Sequence, residues 1–170
     1  MKTVFIMRHA KSDWSQDGTP DHDRPLNQRG LRDAPRMGTL LATLGVTVDL
    51  VVSSTATRAR TTAEAVVASA QWKIPIHLNQ ELYLAPPDTW IEALQNLPDS
   101  CKNILLVGHN PGMTELVTVL TGETVSMATA AIAEVSLSLP NWSELNVRRQ
   151  HELIEHYYPK GLPAAVDTNE

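Results

Sequence analysis

Cysteine is almost missing from this chain. Its 170 residues include one, Cys101, which excludes an internal disulfide framework and any cysteine-rich zinc site. A reducing compartment is the default for such a sequence, so a cytoplasmic location is expected. Positive charge is also scarce: 14 basic against 19 acidic residues leave a net charge of −5. That balance lacks the broad basic footprint of a dedicated nucleic-acid binder, and no nucleic-acid partner is expected. Long apolar runs are missing too. Val4–Met7 ends at Arg8, short of the roughly 7–15 apolar residues of a signal peptide and the about 20 of a spanning helix. No membrane partner is expected. The chain has no GxSxG elbow and no Walker A loop, and Cys101 is not followed by an arginine at phosphatase-loop spacing.

What is present is ordinary for a globular chain: 42% hydrophobic and 19% charged residues. The length suits one domain spanning 1–170 that buries roughly 70% of its unfolded surface. The polar tail 159–170 is expected to fray in part. Residues 3–7 (TVFIM), 49–53 (DLVVS) and 103–107 (NILLV) read as short buried strands. Residues 74–78 read as a weaker strand, 132–139 as an alternating one, and a last strand is placed somewhere in 145–158. Residues 11–24 have no periodicity and read as a loop.

Helices fall between the strands. Leu31, Ala34, Met37, Leu40, Leu41 and Leu44 form one apolar stripe, capped by Asn27 or Asp33 and stopped at Gly45. Pro35 predicts either a start near it or a kink. Residues 56–70 form an Ala-rich helix. Pro87 opens a third around Trp90, Ile91, Leu94 and Leu97, with Trp90 in the core. Asn110 as cap and Pro111 as first residue start a fourth, stopping at Gly122. Strands alternating with helices predict an α/β three-layer sandwich, helices on both faces of a mostly parallel sheet.

In such sheets ligands bind beyond the carboxyl ends of the strands. Three polar clusters lie there: Arg8–His9, Ser54 to Arg58, and Gly108–His109–Asn110. A neutral imidazole is a good nucleophile toward phosphorus near pH 7. An arginine fork holds phosphoryl oxygens, a helix start attracts anions, and a histidine can donate to transferring oxygens. Each cluster alone has an ordinary reading: a surface Arg-His pair, a solvated basic face, a turn. Two histidines and two arginines after different strands of one sheet make a phosphoryl-transfer pocket.

These motifs resemble the histidine phosphatase superfamily, which includes phosphoglycerate mutases and acid phosphatases. Arg8-His9-Ala10, Ser54…Arg58-Ala59…Thr62 and Val107-Gly108-His109 carry the likeness, in the right order, over residues 4–133. Met7 to Trp14, Arg24-Pro25-Leu26…Gly30 and Gly108-His109-Asn110-Pro111 look most like its SixA-type phosphohistidine phosphatase branch. The resemblance implies a phosphoglycerate mutase-like fold, His9 as nucleophile, and Arg8, Arg58 and His109 as the groups that hold the phosphoryl oxygens. It implies no cofactor and no metal. Mutase-like relatives carry a phosphate-contacting Asn where Ser15 stands here, and a proton-donating Glu near the place of Glu81. Ser15 and Glu81 are therefore further candidates for phosphate binding and acid catalysis. Ala10 replaces the glycine common after the Arg-His pair and suits the SixA-like branch.

The implied activity is removal of a phosphoryl group through phosphohistidine on His9, from phosphohistidine on a signalling protein. A small-molecule phosphomonoesterase or mutase-like phosphotransferase acting on a small phosphate ester is the alternative within enzymes. A phosphate-binding module without turnover is the alternative outside them. The oligomeric state is not legible. The run His151 to His156 is a near miss for HExxH: read as a helix, a spacing of five turns the second ring about 140° away. His22 and His77 have no identifiable partner.

Overall fold

Side chains along the first strand, β1 (Lys2–Arg8), alternate between two cores. Val4 and Ile6 enter one cluster of buried residues; Phe5 and Met7 enter another. This is the period-2 geometry of a strand covered on both faces. The computed structural model, which describes residues 1–162, extends the pattern through a six-stranded sheet. Its order is β3-β2-β4-β1-β5-β6, with β2 Leu50–Ser54, β3 Ile76–Asn79, β4 Asn103–Gly108, β5 Ile132–Leu137 and β6 Glu152–Tyr157. The β3-β2-β4-β1 part is parallel, whereas β5 pairs antiparallel with β1 and with β6.

Four helices complete an α/β fold of the phosphoglycerate mutase type: α1 Gln28–Thr43, α2 Thr57–Ala70, α3 Pro87–Gln95 and α4 Gly112–Thr121. Residues of α1 and α2 pack with Phe5, Met7, Val51, Leu105 and Val107, and residues of α3 and α4 with Val4, Ile6, Val52, Ile104 and Leu106. The core is therefore split into two layers by the strand pleat. Most of the tail expectation, residues 163–170, lies outside the described residues; Pro159–Gly161 form a short 3-10 turn with Pro159 buried.

Several elements depart from expectation. α1 begins at Gln28 and runs through Pro35. Asn27 caps it by accepting the Gly30 N–H at 2.9 Å. Burial of Ala34, Met37, Gly38 and Leu41 offsets the bond that a proline removes from a helix interior. The stripe is narrower than read, because Leu31 and Leu44 face solvent. α4 starts one residue late: Pro111 is its N-cap, and the Asn110 carboxamide oxygen instead accepts from Thr114 N and Oγ1. The chain around His156 is strand rather than helix, so odd spacings point to opposite faces.

Gly108 ends β4 at a close approach. A Cβ there would run into the indole ring of Trp90, which is fully buried, and would meet the Met113 sulfur at 3.0 Å. The large core residue Trp90 and the turn carrying His109 are thus packed directly together.

Candidate active site

The parallel strands deliver their last residues to one cavity. Arg8 ends β1 and His9 follows it, Arg58 lies in the first turn of α2 after β2, and His109 follows β4. With Lys11, Ser12, Trp14, Asp21, Arg24, Leu84, Asn110 and Thr129 they line a cavity of about 330 Å³. Strand pairing fixes part of this: Arg8 is in register with Gly108, and the His9 N–H donates to the Gly108 carbonyl at 2.9 Å.

His9 is only 7% exposed. Its Nδ1 lies 2.7 Å from the Ala10 carbonyl. A carbonyl can only accept, so Nδ1 carries the proton and Nε2 keeps its lone pair. Burial lowers the His9 pKa to about 4, opposed by that carbonyl bond and assisted by the charges of Arg58, Arg8 and Arg24. The imidazole is therefore neutral at physiological pH, which a nucleophile requires. Ala10 is held in turn by α2: its N–H donates to Thr62 Oγ1 at 3.0 Å, and Thr62 Oγ1 donates to the Arg58 carbonyl at 2.7 Å.

His109 is 3% exposed and lies with its ring centroid 5.1 Å from that of His9. Burial, then His9 and Arg58, lower its pKa to about 3. Its Nε2 pairs with Ser54 Oγ at 2.8 Å, and that oxygen also accepts the Ala56 N–H at 3.2 Å. Among the described residues Nδ1 of His109 has no partner. If the Ser54 hydroxyl donates to Nε2, the ring proton sits on Nδ1.

The guanidinium groups are anchored differently. Arg8 Nη1 donates to the Met127 carbonyl at 3.1 Å, and the same oxygen accepts Asn110 Nδ2 at 3.1 Å. Burial lowers the Arg8 pKa, yet arginine stays charged. Arg58, 3% exposed, donates Nη1 to the Asp21 carbonyl at 2.7 Å and Nη2 to Asp21 Oδ2 at 3.0 Å. Arg24 donates Nε to Asp21 Oδ1 at 3.0 Å and Nη1 to Ser12 Oγ at 2.8 Å, with its guanidinium 3.4 Å from the Trp14 ring centroid. The Tyr83 hydroxyl donates to Asp21 Oδ2. That bond, with those from Arg24 and Arg58, holds the Asp21 carboxyl well below the ordinary carboxylate range.

His9, Arg8, Arg58 and His109 are thus brought together. Glu81 and Ser15 are not. Glu81 lines a separate cavity with His77, Asn79 and Glu92, because the 3-10 turn Gln80–Leu82 buries Leu82 and turns its neighbour away. Ser15 sits exposed on the loop, its N–H bound to Asp13 Oδ1 at 2.7 Å, outside the cavity lining. Sequence reasoning missed Asp21, Tyr83 and the full role of Arg24. Asp21 and Arg24 were visible only as charges in the Asp-His-Asp-Arg run of an aperiodic loop. His22 does have partners: Thr55 Oγ1 at 2.9 Å and the Tyr83 ring edge. Among the described residues no group of three or more His, Cys, Asp and Glu is placed to hold a metal, and no helix is long and apolar enough to cross a membrane.

The arrangement offers one oriented neutral imidazole, three guanidinium groups and a second histidine around a single small volume. Phosphoryl transfer needs in-line positioning and charge stabilisation and little else. The comparisons with known proteins agree. The profile of the histidine phosphatase superfamily (branch 1) matches residues 4–83. A protein of Mycobacterium tuberculosis without an assigned activity is 42% identical over 128 residues, 75% of this chain and 77% of that one. The structure of a candidate phosphohistidine phosphatase SixA from Agrobacterium tumefaciens superposes with a TM-score of 0.80 at 28% identity, covering 93% of this chain and 98% of that one. That of the protein histidine phosphatase SixA complexed with tungstate superposes with a TM-score of 0.80 at 27% identity, covering 93% and 97%. The chain belongs to the histidine phosphatase superfamily. Within it the chain is of the SixA type, a phosphatase by class.

Proposed function

We propose that the protein removes phosphoryl groups through a covalent phosphohistidine on His9, and that its substrate is phosphohistidine on a cytoplasmic signalling protein. The observation that carries this reading is the Nδ1 bond of His9 to the Ala10 carbonyl at 2.7 Å, which leaves Nε2 unprotonated in a cavity shared with Arg8, Arg58 and His109. Nε2 attacks phosphorus in line, and the leaving group departs. Arg8 and Arg58 hold the phosphoryl oxygens by their free N–H groups, and His109 donates from a neutral ring. Arg24 adds a third guanidinium to the same wall. Water then hydrolyses the phosphohistidine. No metal enters this scheme. Residues 1–170 act in it as one domain.

The open rim and the SixA-type relatives support a protein substrate. Trp14 and Leu84 stand 70% and 57% exposed beside the cavity, where a phosphate carried on a protein surface can reach. A rapid-quench experiment with a phosphohistidine-bearing protein domain tests the reading. An acid-labile, base-stable adduct mapping to His9 is expected, with phosphate release abolished in His9→Ala. Release from small phosphate monoesters but never from the phosphorylated domain overturns the substrate. Equal phosphate release by wild type and His9→Ala overturns the nucleophile.

A further inference from the structure

Asp21 is the one carboxylate among the described residues lining a cavity that otherwise carries Arg8, Lys11, Arg24 and Arg58. An anion there works against phosphate binding unless it has another task. Three donors hold it: Arg24 Nε on Oδ1, and Arg58 Nη2 and the Tyr83 hydroxyl on Oδ2. A carboxylate has about four acceptor sites. One site on Oδ1 is left, and the side chain is 43% exposed. It is also felt across the cavity, since its charge opposes the lowering of the His109 pKa.

We infer that Asp21 is a specificity-determining residue that selects phosphoryl donors whose leaving group is a protonated nitrogen base, by accepting a hydrogen bond from that group and repelling anionic leaving groups. This rests on the reading of His9 as nucleophile and names what the site prefers to its far side. In the transfer step the bond from phosphorus to His9 Nε2 forms and the bond from phosphorus to the substrate ring nitrogen breaks. The electron pair of the broken bond returns to that ring nitrogen. The proton already on the distal ring nitrogen stays there, so the ring leaves as neutral imidazole. A carboxylate beside the distal N–H stabilises the protonated ring from which this departure is easy. A leaving group that bears a carboxylate, as in a phosphoglycerate, meets Asp21 as a like charge. An aryl phosphate offers it no donor. The same geometry explains how the site works without Glu81: the leaving group arrives with its proton in place.

The test compares N-phosphoimidazole with 4-nitrophenyl phosphate and 3-phosphoglycerate, on the full chain, for wild type, Asp21→Asn and Asp21→Glu. Asn keeps the shape and the backbone carbonyl that Arg58 Nη1 uses; it removes the charge, and its single side-chain oxygen serves Arg24 or Arg58 but not both. In Asp21→Asn, kcat/KM for N-phosphoimidazole is expected to fall about 10- to 100-fold further than kcat/KM for 4-nitrophenyl phosphate, the range of one charge-assisted hydrogen bond. Turnover of 3-phosphoglycerate relative to 4-nitrophenyl phosphate is expected to rise. Asp21→Glu restores part of the preference for N-phosphoimidazole. Equal losses on all three substrates overturn the inference and leave Asp21 as a positioning residue for Arg58. So do unchanged ratios in both variants. An inert wild type, or a wild type whose adduct maps away from His9, overturns the underlying reading as well. Thermal unfolding of each variant separates these outcomes from loss of fold.

Discussion

Thr62 Oγ1 accepts the backbone N–H of Ala10 at 3.0 Å, joining the second turn of α2 to the residue that follows His9. The Ala10 carbonyl fixes the tautomer of His9, so the hydroxyl that holds the Ala10 N–H steadies the residue whose carbonyl orients the ring. Thr62→Val keeps the volume and leaves a buried N–H without its acceptor. It is expected to cost about 1–3 kcal/mol of stability and to lower kcat more than it raises KM. Urea denaturation and steady-state kinetics check this, and a variant as stable and as fast as wild type would remove Thr62 from the account.

Arg58→Ala should lower kcat/KM by at least about 10²-fold, the effect of removing one transition-state donor. An unaltered rate would mean that Arg58 serves only its bonds to Asp21. Glu81→Gln provides the contrast. Its side chain lines another cavity, so activity is expected to stay within about twofold of wild type, within the scatter of surface substitutions.

Gly108→Ala places a methyl group against Trp90. Overpacking of this kind costs about 1–3 kcal/mol, and here it pushes on the turn before His109. Both a lower denaturation midpoint and a lower kcat are expected. A change in neither would show that Trp90 can move aside.

Stability should depend on pH through the buried histidines. Unfolded histidine titrates near 6.5, whereas His9 and His109 titrate at about 4 and about 3 in the fold because burial disfavours their charged forms. Between those values the unfolded chain binds more protons, so stability rises with pH. Their contribution is complete above about pH 6.5 and is lost as pH falls toward the folded values. His151 and His156 are lowered too and act in the same direction. Denaturation midpoints at pH 7 and pH 5 should differ, with a smaller difference in His9→Asn. Equal midpoints in wild type would contradict the burial argument.

The strands and the three polar clusters that line the cavity were legible because each signal was local. TVFIM, DLVVS and NILLV announce buried strands, and Arg8, His9, Arg58 and His109 lie within five residues of the ends of such runs. Pro35 misled because burial against α2 outweighs a local penalty. Asp21 and Tyr83 were not legible: they lie 62 residues apart and meet only through tertiary packing. Sequence order places Glu81 near the rim, while the 3-10 turn decides which cavity it enters.

The carbonyl of Met127 serves two strand ends at once, receiving Arg8 from β1 and Asn110 from beyond β4. The two anchoring bonds depend on the route of the main chain, while the side chain attached to it packs in the core. Met127 is itself buried in the core, so residue 127 can drift only among apolar side chains of similar volume, whereas a single insertion or deletion between α4 and β5 would pull two anchor points out of alignment together.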